Sequence, residues 1–153
     1  MARANPVTDE HPSLYERDFY LWVEQQAMLL REGRLDHLDV ANLLDEVESM
    51  GRSEKRAIKS NLIVVLVHLL KYQLQPDQRS GSWRGSIVEH RRRLRDDLED
   101  SPSLHGYARE FFHEAYHNAR EQASVESGLP LRALPKSSPY TLDQTLDPEF
   151  LPD

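Results

Sequence analysis

The sequence contains no cysteine among its 153 residues, so neither a disulfide nor a metal site built on thiolates is available to it. It also lacks a glycine-rich phosphate loop and the G-x-S-x-G pattern of a hydrolase nucleophile. Basic residues are fewer than acidic ones, 19 against 26, and the formal net charge is -7. Because a negative field repels phosphate, this charge disfavours general binding to nucleic acid or to anionic lipid.

The first twelve residues lack an apolar stretch. They are polar and include Pro6 and Pro12, so they do not have the form of a secretory signal. We expect residues 1–12 to form a mobile N-terminal arm and the protein to be cytoplasmic. The length of the chain suffices for one domain with a buried core.

Only one stretch, residues 61–72, is apolar on every face. A helix of that kind must be buried on all sides, so we expect the other helices to pack around it. The uncharged part, residues 60–70, is shorter than the roughly 18 residues of a membrane span, and we therefore expect no membrane insertion. Because Pro76 limits the C-terminal end, the pattern predicts a central helix at about 53–74.

Apolar residues at three- and four-residue spacing predict four further helices. The first begins at Ser13, which forms an S-x-x-E capping box with Glu16. The second begins after Asp39 and ends at Gly51, and the last begins at Ser101-Pro102 and ends at Gly128. The residues expected to face the core are Tyr15, Phe19, Trp22, Gln26, Leu29, Val40, Leu43, Leu44, Val47, Trp83, Ile87, His90, Leu94, Leu98, Leu104, Ala108, Phe111, Phe112, Ala115 and Ala119.

From Leu129 onward the composition changes. Five prolines rule out a long helix, yet the segment is too apolar for a solvated tail. We expect residues 129–153 to form a strap packed on the bundle, with a short helix capped by Thr141. The whole pattern predicts an all-α, single-domain bundle of about five helices at 13–128, followed by this Pro-rich C-terminal strap.

Five blocks of sequence carry a family resemblance: residues 15–22, 46–56, 69–76, 82–83 and 147–152. Through them the chain resembles a bacterial family known only as domain of unknown function family 29. The resemblance covers nearly the whole chain and implies a compact, all-helical protein. It implies no activity, no catalytic residue and no cofactor.

His113, Glu114 and His117 fit the H-E-x-x-H pattern of zinc proteases, in which the histidines bind the metal and the glutamate acts as general base. At 100° per residue, however, both histidines fall opposite the apolar face that contains Phe111, on the side of Arg120. A catalytic motif should face a cleft. We therefore interpret these residues as a solvated helix face that is able to bind zinc adventitiously.

A second constellation is expected in the core. His68 and Asn61 lie in line on the central helix, and His90 lies in the apolar stripe of the fourth helix. Glu46 or Glu48 could complete a metal site or an acid–base pair with these imidazoles. The alternative, which we favour, is a structural network in which each buried polar group has a hydrogen-bond partner.

A third group is basic: Arg84, Arg91, Arg92 and Arg95 concentrate positive charge on one predicted helix. Such a patch could contact phosphate or an acidic partner. The alternative, again favoured, is a solvated face balanced by the acidic residues at 96–100.

Two classes of function therefore remain open. We favour a small non-enzymatic helical protein that acts through protein–protein interaction, with a partner or with itself, and without a cofactor. The alternative is a metal-dependent enzyme with its His/Glu site in the helical core.

Overall fold

The structure is a computed structural model and describes residues 12–153. The predicted arm at 1–12 lies outside the described residues apart from Pro12. Every regular element in the described range is helical, which confirms the predicted all-α class. The α-helices are α1 (Leu14–Arg17), α2 (Phe19–Arg31), α3 (Val40–Leu74), α4 (Gly81–Asp100), α5 (Leu104–Ser127) and α6 (Leu142–Leu146), with 3-10 turns at Leu35–His37, Pro76–Gln78 and Leu131–Ala133.

The predicted capping box at the start of the bundle is confirmed. The Ser13 hydroxyl accepts the N–H of Glu16, and the Glu16 carboxylate accepts the N–H of Ser13. Asp18 then caps α2, because its side chain accepts the N–H of Leu21 at 3.0 Å. The two caps, five residues apart in sequence, explain why the predicted first helix is divided into α1 and α2.

The main error of the sequence prediction concerns α3. Instead of a second helix ending at Gly51 and a central helix starting near residue 53, one helix of 35 residues runs from Val40 to Leu74. A glycine that ends a helix adopts a positive φ, and Gly51 does not. Because strong helix-forming sequence lies on both sides, the cost of about 1 kcal/mol for one glycine does not interrupt the helix.

The chain forms two compact units, Met1–Met50 and Gly51–Asp153. In the first unit, the side chains of Trp22, Gln26 and Leu29 are buried. The Trp22 indole donates to the Asp39 carboxylate at 2.9 Å, and the backbone N–H of Asp39 donates to Gln26 at 2.8 Å. Asp39, the predicted cap of the second helix, therefore also anchors α2 to the start of α3.

The predicted burial of the first turns of α3 is wrong. Val40, Leu44 and Val47 are 65%, 55% and 58% exposed, and only Leu43 of that set is partly covered. The apolar spacing identified one face of the helix, but the described residues of the first unit leave most of that face exposed.

The core of the second unit lies where the sequence places it. In the C-terminal half of α3, eight residues are buried, among them Leu62, Leu66 and Leu70 with no exposed surface. The remainder of the cluster comes from α4, α5 and the strap: Ile87, Leu94, Leu98, Ala108, Phe111, Ala115, Tyr116, Ala119, Ala123, Leu134 and Tyr140.

Within the described range, α3 is the one helix whose length and composition would also suit a membrane span, with a mean hydropathy of 1.2 over its best window. This is weak support for membrane insertion, because the core helix of a soluble protein meets the same criterion. The residues of α3 that pack in the second unit account for its apolar composition.

The strap is held against α3 and α5 by buried tyrosines. Tyr140, 4% exposed, donates to Gln73 at 2.6 Å, and Tyr116 donates to the carbonyl oxygen of Pro135 at 2.6 Å. α5 passes Tyr116 without a break and ends at Gly128, whose φ of +72° is that of a helix-ending glycine. The helix begins at Leu104 rather than at the predicted Pro102, because residues 102–103 form a turn before it.

Candidate functional site

An apolar groove lies on the first unit, with a volume of about 320 Å³. Residues of α2 and of the first three turns of α3 line it: Phe19, Trp22, Val23, Gln26, Ala27, Leu30, Leu43, Glu46, Val47 and Met50. Leu30, Val47 and Met50 are 51%, 58% and 61% exposed, so the groove presents apolar side chains to solvent.

The polar side chains of the groove are already bonded within the first unit. The Tyr15 hydroxyl donates to Glu46 at 2.5 Å, and this hydrogen bond raises the pKa of Tyr15. Gln26 accepts from the backbone of Asp39. The hydrogen bonds from Asn42 and Trp22 lower the pKa of Asp39, against the opposing effect of burial. Because its polar groups are occupied in this way, the groove is suited to apolar contact rather than to acid–base chemistry.

The predicted histidine cluster forms in part. His90 Nδ1 lies 2.7 Å from Asn61 Oδ1, and the Asn61 amide donates to the carbonyl oxygen of Ala57 at 2.9 Å. His68 Nδ1 lies 2.8 Å from the carbonyl oxygen of Val64. Because both imidazoles face oxygen atoms that accept, the hydrogen-bond pattern assigns the proton of each ring to Nδ1. Both groups are satisfied as a structural network requires.

The predicted carboxylates do not join these imidazoles. Glu46 lies about six helical turns before His68 on the same helix and accepts from Tyr15. Glu48 lies beside Glu46 in the first unit and is exposed. In residues 12–153 no group of three or more His, Asp or Glu side chains is arranged to hold a metal ion. The alternative of a metal-dependent enzyme gains no site from this geometry and stays a prediction.

Burial lowers the pKa of His90, and the nearby charges of Arg93 and His68 act in the same direction, while Glu89 opposes them. A histidine in this environment favours its neutral form. That state suits its partly buried hydrogen bond with Asn61.

The H-E-x-x-H residues face solvent, as their helical position predicts. His113, Glu114 and His117 are all exposed on α5. His117 lies 3.5 Å from Glu121, and Glu114 lies 3.9 Å from Lys59. None of these three residues lines the groove of the first unit.

The predicted basic patch on α4 is divided by the structure. Arg92 bonds to Glu89 at 3.1 Å and to Asp96 at 2.9 Å, and Arg93 bonds to Glu89 at 2.9 Å. These contacts lower the pKa of Glu89 and raise that of Arg92. Arg84 and Arg95 are exposed, as expected of a solvated face.

Arg91 does not belong to that surface, because its side chain is 2% exposed. It occupies the buried position between Ile87 and Leu94 that the sequence analysis gave to His90. Arg120 is a second correction: it was placed on the solvated face of α5 but is 8% exposed, donating to Leu131 at 2.7 Å and Leu134 at 3.1 Å. Both arginines lie at the three- and four-residue spacing of the buried residues on their helices. They were nevertheless assigned to the surface, because charged side chains are usually exposed.

Comparison with known proteins gives one match. The model of a protein family described as "Domain of unknown function DUF29" matches residues 14–151. No curated protein and no solved structure matches the chain.

Proposed function

Since this chain belongs to the DUF29 family, whose description names no activity, we propose its function from the geometry of the first unit: a non-enzymatic helical protein that binds a partner protein. The partner contributes an amphipathic helix with basic flanks. That helix lies in the apolar groove between α2 and the start of α3.

The single observation that carries the proposal is the exposed apolar surface around the groove. Soluble proteins rarely leave large contiguous apolar patches in water unless something binds there. Here five large apolar side chains that line the groove are exposed: Phe19, Val23, Leu30, Val47 and Met50. An apolar groove between helices is a common receptor for the apolar face of a partner helix.

Charge determines which partner suits this surface. Between residues 13 and 50 the sequence has nine acidic and three basic side chains. A second copy of the chain would bring two such acidic surfaces together, and their repulsion disfavours self-association through the groove. A helix with lysine or arginine beside its apolar face gains both burial and electrostatic attraction.

The test uses a fluorescent synthetic peptide of about 18 residues, which forms about five helical turns, with leucine on one face and lysine on the other. Fluorescence anisotropy with the full chain should show saturable binding. Val47→Glu should weaken it about tenfold or more, although the new charge attracts lysine, because the apolar groove is interrupted.

Val125→Glu is the matched control, since it adds the same charge at a valine of the second unit that is 84% exposed. It should bind like the parent. A peptide with glutamate in place of lysine should not bind. Equal weakening by both variants, or equal binding of both peptides, would contradict the proposal. Sedimentation velocity of the protein alone tests the other occupant: a dimer abolished by Val47→Glu would assign the groove to a second copy.

A further inference from the structure

The second unit has a cationic pocket that the sequence analysis did not identify. Its volume is about 490 Å³. The residues that line it are Arg52, Lys55, Arg56, Lys59, Ser60 and Ile63 of α3 and Tyr107 of α5. Lys59 lies four residues after Lys55 and three after Arg56, so its side chain neighbours both of them on the helix surface.

Within the part of the chain that the structure describes, little acidic charge compensates Lys55, Arg56 and Lys59. Within residues 12–153, no hydrogen bond or ion pair with an acidic side chain engages Lys55 or Arg56. Lys59 has one acidic neighbour, Glu114, at 3.9 Å, and the Glu114 side chain is 64% exposed. Arg92 and Arg93 of α4 differ in this respect, because Glu89 and Asp96 form ion pairs with them.

Two of the cations are held in position by aromatic rings. Lys55 Nζ lies 5.3 Å from the centre of the Tyr107 ring, and Lys59 Nζ lies 4.7 Å from that of Phe111. The two rings stack at 5.8 Å with an angle of 12° between their planes. Phe111 is only 7% exposed, so this aromatic support is anchored in the core. Ammonium groups fixed in this way lose little freedom when an anion binds.

Stability alone gives no reason for this arrangement, since like charges three and four residues apart destabilise a helix. From the grouping of Lys55, Arg56 and Lys59, the lack of an acidic partner at the first two within residues 12–153, and the ring contacts of the two lysines, we propose that the pocket binds a small phosphoanhydride, an anion with two linked phosphate groups. Lys55 and Lys59 are about 6 Å apart along the helix, so two adjacent phosphates engage more of the cations than one does. The net charge of -7 opposes a long polyanion and favours a compact one.

The experiment is a titration of the full, isotope-labelled chain with inorganic pyrophosphate at constant ionic strength, followed by nuclear magnetic resonance. Shifts should concentrate at residues 52–60 and at Tyr107. Orthophosphate should bind about tenfold more weakly, because it spans fewer cations. A single-stranded oligonucleotide tests the other source of phosphate. Binding of the oligonucleotide more tightly than pyrophosphate at physiological salt would overturn the assignment to a small anion.

The double variant Lys55→Gln/Arg56→Gln should lose about tenfold or more of the pyrophosphate affinity. The matched control is Lys136→Gln/Arg95→Gln, which removes the same two charges from exposed positions elsewhere in the second unit. It should keep the parent affinity and the parent pattern of shifts. Equal losses in the two double variants, or shifts centred on α4, would overturn the proposal. All four positions are exposed, and a thermal melt checks that both variants fold.

Discussion

The buried guanidinium of Arg91 donates from Nε to the carbonyl oxygen of Thr145 at 2.8 Å. Its other nitrogens donate to Phe150 at 2.8 Å and to Gln144 at 3.1 Å. Burial lowers the pKa of Arg91, and the charge of Asp147 acts in the opposite direction. A charged side chain of the core thus binds the strap through main-chain oxygens, whatever side chains the strap carries at those positions.

We predict that Arg91→Met destabilises the protein by about 3 kcal/mol, because three carbonyl groups lose a charged donor. The free energy of unfolding of Arg91→Lys should lie between those of Arg91→Met and the parent. One ammonium group cannot reach all three oxygens, which the planar guanidinium does. Urea unfolding measures both. Arg95→Met, on the exposed side of the same helix, is the control and should stay within about 0.5 kcal/mol of the parent. Similar losses at the two positions would contradict the role given to Arg91.

A second prediction concerns the strap. A chain that ends after Gly128 should melt well below the parent, because it loses the apolar contacts of Leu134 and Tyr140, which are 2% and 4% exposed. Leu134→Ala alone should cost about 2–5 kcal/mol. Thermal unfolding followed by circular dichroism is the measurement. Equal melting temperatures for the truncated and full chains would mean that the strap does not stabilise the second unit.

The continuity of α3 gives a third prediction. At Gly51 a Cβ atom would meet no other atom within 4 Å, and the backbone is helical. Gly51→Ala should therefore stabilise the protein by about 0.5–1 kcal/mol through helix propensity. Gly128→Ala should do the opposite and cost about 1–2 kcal/mol, because φ is +72° there. A destabilising Gly51→Ala would indicate that the helix is interrupted at that residue after all.

The fourth prediction is a dependence on pH. The pKa of His90 in the folded chain lies below the ordinary value near 6.5, so the unfolded chain takes up a proton first as the pH falls. The stability that neutral His90 contributes is complete above about pH 6.5 and is lost as the pH falls through the lower, folded pKa.

Unfolding free energies at about pH 7.5 and about pH 5.5 measure this effect, since an unperturbed histidine, as in the unfolded chain, titrates between these values. His90→Gln keeps a donor for Asn61 but does not titrate, so it should lose less stability than the parent on acidification. His113→Gln, at an exposed position, should follow the parent. An equal loss in the parent and in His90→Gln would rule out His90 as a source of the pH dependence.

The sequence predicted where the helices begin better than it predicted which of their residues are buried. Ser13, Asp39 and Thr141 cap helices as their residue types indicate, because capping depends on atoms within a few residues. Gly51 misled the prediction, since a glycine marks a helix end only where its φ is positive, and sequence alone does not give that angle. Val47 and its neighbours show the second limit: periodicity identifies an apolar face but not whether anything covers it.

Candidate sites were harder to predict for a related reason. His90 and Arg91 occupy adjacent positions on α4, and burial was assigned to the less charged residue, as average behaviour suggests. The partners that make a buried Arg91 favourable are carbonyl groups of the strap, to which no local pattern in α4 points. The cationic pocket was missed because its charged residues lie among the apolar residues of α3, where they do not form a run of charge in the sequence. Its aromatic side comes from α5, which is far away along the chain.

During synthesis, the hydrogen bonds of Arg91 can form only after the strap has been made. Their acceptors at Thr145 and Phe150 lie 54 and 59 residues further along the chain, so a nascent polypeptide reaches α4 long before the oxygens that satisfy its guanidinium. Closing loops of that length is slow compared with forming a helix. A prematurely ended chain, lacking the residues after 144, retains an unsatisfied charge where the core should close. Such fragments are the ones that cellular proteases can recognise as incomplete.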